Sequence, residues 1–268
     1  MTDLQLDPEW QRQLQQRAEA APLLPRVPLW WRGVQVGSAE AEVLAALQLP
    51  GLLQQAAGGG CEVAGPLSAS LAAIAQALRD RGFVRAWRDE QLAVCDAGGT
   101  ALGSVERGAA RLLGIATHAV HLVGLSEQGS HWVQQRALNK ADDPGLWDTL
   151  VGGMVAAGED AESTLLRECE EEAGLALRQL RDVRLGGQVT SRRPCASTPG
   201  GYIVERIDWY LGTVPQSLVP QNRDGEVAQF ELLTVAELRE RLQSGSFTID
   251  AGRIFSNFCA KGDELAPD

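Results

Sequence analysis

Between Gly152 and Leu175 the chain reads GGMVAAGEDAESTLLRECEEEAGL. Glu159, Glu168, Glu171 and Glu172 are spaced around Arg167 and bracketed by glycines. Asp160 can cap a helix running from about Ala161 to Ala173, and Gly174 suits the left-handed position that ends one. On that helix Leu165, Leu166, Cys169 and Ala173 form an apolar face. Glu168, Glu171 and Glu172 fall at i, i+3 and i+4, so they share another face, one above the next. Carboxylates stacked this way repel each other at neutral pH, and a hard divalent cation with oxygen ligands relieves that repulsion. Glu159 enters from the loop before the helix. Arg167 points elsewhere and can pair with Glu159, fixing the loop. A bare acidic run would instead be a solvated helix face.

The chain around this segment has 268 residues, room for one large domain or two ordinary ones. A net charge of −11 argues against a general nucleic-acid binder, which needs a basic face. It leaves a small anionic ligand open, because a bound metal inverts the local electrostatics. The five cysteines are scattered, with no zinc-type cluster, and point to reduced thiols in a cytoplasm. The first residues are polar and acidic, unlike a signal peptide, and no apolar run approaches a membrane span.

Upstream, Asp7-Pro8 starts a helix. Leu29–Trp31 and Val34–Gly37 predict a hairpin, Ala39–Leu49 a helix, and Gly58-Gly59-Gly60 a flexible turn. Pro66–Arg81 is strongly amphipathic and stops at Gly82. Two strands, Glu90–Asp96 and Ala101–Glu106, precede a short helix ending at Gly114. From Ile115 the texture changes: Thr117–Leu125 reads as a buried strand and Trp132–Arg136 as the next. Strands over 183–190, 202–214 and 226–233 follow, then helices over 235–243 and 250–259. A boundary near residue 110 divides an α+β unit, 1–110, from a mixed sheet flanked by helices, 111–268.

The acidic segment matches G-x5-E-x7-R-E-U-x-E-E-x-G-U, with U a bulky aliphatic, and so resembles the signature of the Nudix hydrolase superfamily. Cys169 stands where that pattern prefers Ile, Leu or Val, a cost in packing rather than chemistry. The resemblance implies an α/β/α sandwich and hydrolysis of a diphosphate joined to an organic group, dependent on Mg²⁺ or Mn²⁺. By residue it implies metal ligation by Glu168, Glu171 and Glu172, with Glu159 joining the metal shell or supporting the loop. Which carboxylate is the general base stays open. Many members are dimers, so a homodimer is an expectation.

Outside the box, Arg136 and Lys140 can each hold a phosphate. Trp147 is either core or a ring-stacking wall. Glu226, after the turn Asp224-Gly225, resembles the extra carboxylate that several Nudix enzymes use as metal ligand or base. His118 and His121 alternate along a strand and read as structural, and His131 as a loop residue. The run RALNKADDPGLWDTLVGGMVAAGE, the segment WRDEQLAVCD and the late DGEVAQFELL resemble Nudix proteins fused to fungal thiamin pyrophosphokinase and their stand-alone relatives. That likeness implies thiamin diphosphate or its oxidised analogues as substrate. It also implies an aromatic slot between the two units, for which Trp30, Trp31 and Trp87 are candidates. Three other readings are a hydrolase of nucleoside diphosphate derivatives such as ADP-ribose, an isopentenyl diphosphate isomerase-like enzyme, and a ligand-binding regulator. An intact box counts against the last.

Overall fold

A computed structural model describes residues 4–262. The first part of the chain comprises α1 (Pro8–Ala18), β1 (Arg26–Trp31), β2 (Val34–Glu40), α2 (Ala41–Leu47), β3 (Leu53–Gln55), β4 (Cys61–Val63), α3 (Leu67–Asp80), β5 (Gln91–Cys95), β6 (Ala101–Glu106) and α4 (Arg107–Ala110). The second comprises β7 (Thr117–Ser126), β8 (His131–Arg136), β9 (Trp147–Asp148), β10 (Val151–Met154), α5 (Ala161–Ala173), β11 (Arg181–Pro194), β12 (Tyr202–Val214), β13 (Val227–Leu233), α6 (Val235–Gln243) and α7 (Ile249–Lys261).

In the first part, β1 and β2 form the expected hairpin within a sheet ordered β2–β1–β4–β3. β2 extends to Glu40, which shortens the helix expected from Ala39 to Ala41–Leu47. The glycine run 58–60 closes a second small hairpin, β3–β4, too short to show as an alternating pattern. α3 presents Leu67, Leu71, Ile74 and Leu78 to a core that also takes Leu92, Val94 and Val105 from the β5–β6 hairpin.

The second part is built on a mixed sheet, β11–β12–β7–β8–β13, with β10 added beside β7 and β9 beside β8. Among the described strands of this sheet, only the β12–β7 pairing is parallel. β7 is buried on both faces, which explains its nearly continuous apolar run. Val120 and Leu122 pack under α5 with Leu165, Cys169 and Ala173. Ala119 and Val123 face α6 and α7 with Leu238, Ile254 and Phe255. Helices thus cover both faces of one sheet, the α/β/α sandwich expected.

The two parts interlock. α1 lies on α7, where the Leu14 side chain comes within van der Waals reach of Gly252, and Leu4 and Leu6 join the core of the second part. The Arg26 guanidinium donates to the carbonyls of Ser38, Leu112 and Gly200, tying the first sheet to the 195–201 loop. Met154, at the end of β10, is buried in the first part's core.

Candidate active site

α5 is delimited by local chemistry. Asp160 accepts from the Ser163 amide at 2.8 Å while Ser163 Oγ accepts from the Asp160 amide at 3.0 Å, a reciprocal cap. At the other end Gly174 takes φ +63°, closing the helix in the left-handed region. Gly153 has a different reason to be glycine: a Cβ there would overlap the Glu168 carboxyl group. Its absence lets helix and strand approach closely enough for carboxylates to meet backbone.

Arg167 is the hub of the segment. Its Nε and Nη2 donate to the two oxygens of Glu159 at 3.1 and 3.0 Å, a bidentate pair. Its Nη1 donates to Glu168 at 2.8 Å and Glu171 at 3.0 Å. The expected pairing with Glu159 is therefore present, but Arg167 does not point away from the helix carboxylates; it lies among them. Thr164 Oγ1 adds a hydrogen bond to Glu159 at 2.8 Å, and these partners hold the Glu159 carboxyl below its ordinary range.

The three helix carboxylates differ in exposure. Glu171 is about half exposed, Glu168 mostly buried, and Glu172 buried at 3%. Glu172 Oε2 accepts from the Gly152 amide and from Gln134 Nε2, both at 3.0 Å. Burial nevertheless pushes its carboxyl up to about 8, with the nearby Glu168 adding to the effect. Burial likewise raises Glu168 to about 7, against the pull of Arg167. Among the described residues no group of three or more His, Cys, Asp or Glu side chains stands in metal-holding geometry. The guanidinium of Arg167 is the counter-charge in this arrangement. The donor set itself, carboxylate oxygens carrying mutual repulsion, fits a hard divalent cation such as Mg²⁺ or Mn²⁺.

Glu168 opens onto a cavity of about 490 Å³ that also receives Arg136, Lys140 and Glu226. Glu168 and Glu226 are far in sequence from Arg136 and Lys140; β8, the loop after it and the residue before β13 bring them together. Glu226 is ion-paired with Lys140. Burial alone would raise the Glu226 carboxyl, but the Lys140 ammonium outweighs it and leaves the group below its ordinary range. Arg136 Nε and Nη2 donate to the Asp142 carbonyl at 3.2 and 3.0 Å. Trp147 is not on the cavity wall: it is 8% exposed in the core facing α6, with Arg241 stacked 4.8 Å over its ring. β9 turns that ring to the opposite side, so of the two readings open for Trp147 the core is the one observed.

Several cavity residues had no signal in the sequence. Arg107 and Arg111 arrive from α4 and the turn after it. Arg111 is bound to Asp142, which also accepts from Ser197. His121 Nδ1 shares a hydrogen bond with Thr149 Oγ1 at 2.8 Å, so this strand histidine does reach the wall. Glu205 and Asp250 lie deeper. Burial and the charge of Asp250 raise Glu205. Burial would raise Asp250 too, but Arg193 and Ser191 hold it low. Cys195 is on the wall as well, its Sγ 3.2 Å from Ser197 Oγ and 3.5 Å from Arg111. Only the pairing of β12 beside β7 and the packing of α4 could have revealed this set.

A slot of about 280 Å³ lies between the two parts, sharing Arg107, Arg111 and Met154 with the larger cavity. The three candidate tryptophans do not line it. Trp30 and Trp31 donate to the carbonyls of Gly59 and Gly65, and Trp87 donates to Asp89 beneath the Arg79 guanidinium. His131 is not in a loop but opens β8, buried edge-on against Phe255 and Phe258. No helix among the described residues is long and apolar enough to cross a membrane.

Comparison with known proteins adds to this geometry. The NUDIX domain model matches residues 116–252, which contain the acidic segment and the mixed sheet. Nudix hydrolase 20, chloroplastic, of Arabidopsis thaliana is 31% identical over 184 residues, 66% of this chain and 48% of that protein. The chain thus spans about half the length of that relative. The isopentenyl-diphosphate Delta-isomerase of Streptomyces griseus is 30% identical over 158 residues, 59% of this chain and 77% of the isomerase. Among solved structures, DR0079 from Deinococcus radiodurans superimposes with a TM-score of 0.51 at 22% identity, covering 62% of this chain and 98% of that one, a likeness of fold.

Proposed function

The chain belongs to the NUDIX family, and we propose that it is a divalent-metal-dependent hydrolase that splits the phosphoanhydride bond of an organic diphosphate, releasing the monophosphate. One observation carries this reading: Glu168 of the box and Glu226, Lys140 and Arg136 from outside it line one cavity. Glu159, Glu168, Glu171 and Glu172 are the residues that would hold Mg²⁺ or Mn²⁺. When bound, such an ion neutralises phosphate oxygens and makes water more acidic. Arg136 and Lys140 draw the diphosphate to the wall. Glu226, ionised at neutral pH, accepts the proton of the attacking water. The water oxygen bonds to phosphorus as the bridging P–O bond breaks, and the leaving phosphate takes the electron pair. Arg167 serves as a positioning residue: it holds the Glu159 loop against the helix.

For the organic group we favour thiamin diphosphate or its oxidised analogues, supported by the sequence likeness outside the box. ADP-ribose is the alternative. This reading also takes the chain as two units, 1–110 and 111–268, forming a homodimer in the cytoplasm. A second reading is proton transfer to an isoprenoid diphosphate. It draws on Cys195 at the cavity wall and on the similarity to the Streptomyces griseus isomerase.

The test is a panel of thiamin diphosphate, its oxy-analogue, ADP-ribose and isopentenyl diphosphate with Mg²⁺ or Mn²⁺, read as phosphate and monophosphate release. Cleavage of ADP-ribose with none of the thiamin compounds would sink the favoured substrate and keep the hydrolase. Isomerisation of isopentenyl diphosphate without phosphate release would establish the second reading.

A further inference from the structure

The first part of the chain does not sit apart from the acidic segment. Leu92 of β5 bridges to Ala156, and the Ala157 amide donates to the Gln91 carbonyl at 2.7 Å. These contacts fall in the loop between Gly153 and Glu159, so the β5–β6 hairpin, a two-stranded sheet of its own, bridges to the acidic segment at the site itself. Directly after β6, Arg107 enters the larger cavity. Its backbone amide donates to the Glu90 carbonyl at 2.8 Å, and its guanidinium pairs with the Glu90 carboxylate at 2.6 Å. Its positive charge reaches both Glu168 and Glu226.

Arg107 also stands on the threshold of the smaller slot. The far wall of that slot is the segment 83–88, held in place by Glu106. The Glu106 side chain is buried at 1%, and its Oε1 accepts from the Arg88 amide at 2.8 Å. Gly108 allows the close approach, since a Cβ there would overlap the Ala86 carbonyl. Phe83, Val84, Ala110, Met154 and Pro199 give the slot apolar surface. Arg85, Arg88, Arg107 and Arg111 surround it, against Asp142 as the acidic side chain on its wall.

Resting on the hydrolase reading above, we infer that this slot binds the ring of the substrate's organic group, a neutral planar nitrogen heterocycle, while Arg107 holds the diphosphate at the junction. Guanidinium planes stack on flat rings, and apolar walls exclude water from the ring faces. A net excess of arginine disfavours a cationic ring within the slot. A cationic group carried next to the diphosphate would instead lie in the larger cavity, where Glu168, Glu205 and Glu226 face it. A volume of about 280 Å³ suits one or two fused rings rather than a whole substrate. The first part of the chain then selects the substrate, and the box cleaves it.

Calorimetric titration tests this with thiamin diphosphate, ADP-ribose and ring-free methyl diphosphate, using Ca²⁺ to hold back turnover. Ala86 is exposed at the slot, so Ala86→Phe fills it without disturbing the core. The variant should weaken the ring-bearing ligand that the wild type binds by about tenfold or more and leave methyl diphosphate within about twofold. Which ring-bearing ligand binds the wild type distinguishes a pyrimidine from a purine occupant. Arg107→Met should weaken all diphosphates alike, and Arg107→Lys should recover part of the loss. Unchanged binding of the ring-bearing ligand to Ala86→Phe would overturn the assignment, as would an equal loss for methyl diphosphate or no ring-bearing ligand binding the wild type. Phosphate release with Mg²⁺ is scored separately: ring-dependent binding without turnover would fail the hydrolase reading and keep the slot.

Discussion

α5 and α7 are helices of equal length, 13 residues, packed on opposite faces of one sheet. Both begin at a side-chain cap, Asp160 for α5 and Thr248 for α7. What they present to the sheet differs. α7 buries Ala251, Ile254, Phe255 and Phe258, each large side chain removing apolar area from water at about 1.5–3 kcal/mol. α5 buries Leu165 but otherwise small residues, Cys169 and Ala173, together with Glu172. Small side chains bring α5 close to Gly152 and Gly153, and polar groups fill the space gained. One helix is therefore an anchor and the other a platform for chemistry, so changes to each should separate stability from turnover.

The sharpest separation should come from Glu171→Gln. Glu171 is exposed, so the variant should keep its unfolding midpoint while turnover with Mg²⁺ falls by about 10⁴-fold or more. Retained activity would show that the metal is held elsewhere. Phe255→Ala is the mirror experiment: chemical denaturation should show a loss of about 3–5 kcal/mol, with kcat of the folded enzyme unchanged. Gly153→Ala falls between the two, because the added methyl displaces the Glu168 carboxyl. A drop of about 10²-fold in kcat/KM with a small stability change is expected.

A pH series sharpens the α7 side. His131 is buried with neither ring nitrogen hydrogen-bonded, and burial lowers it from 6.5 to about 4. Because the folded-state value is the lower one, the unfolded chain binds the proton first as pH falls. Stability should therefore decline from about pH 6.5 towards pH 4, by about 2–3 kcal/mol from this group. His131→Leu should flatten that slope in urea titrations and change little at pH 7.5. At Glu226→Gln a fall of about 10²-fold in kcat is expected at saturating metal. No change would return Glu226 to an exposed strand-end charge.

The legible parts of this molecule were those in which local chemistry and periodicity agree. Asp160, Gly174 and the spacing between them fixed α5, and Asp7-Pro8 marked the start of α1 in the same way. The acidic face was legible too, but not its gradation, since Glu172 is buried only because Gln134 and the Gly152 amide come to meet it. Arg107 and Arg111 were invisible as site residues because their role depends on how α4 packs against α3, β5 and β6 and on Asp142 and Cys195 reaching Arg111 from distant loops. Trp147 and the three upstream tryptophans stayed open between core and ligand wall for the converse reason. A large ring is equally at home in a core and on a ligand wall, and only the side of the sheet it faces decides.

The seating of α1 on α7 also governs the order in which the molecule can be completed. Residues near Leu14 find their partners near Gly252, almost the whole chain later. During synthesis α1 emerges long before α7, the surface that covers it, and contacts of such long sequence separation form slowly. The β5–β6 hairpin, by contrast, has its own core with α3 at hand early. The wall of the smaller slot can therefore set before the box is made, while Leu14 stays uncovered until α7 has left the ribosome.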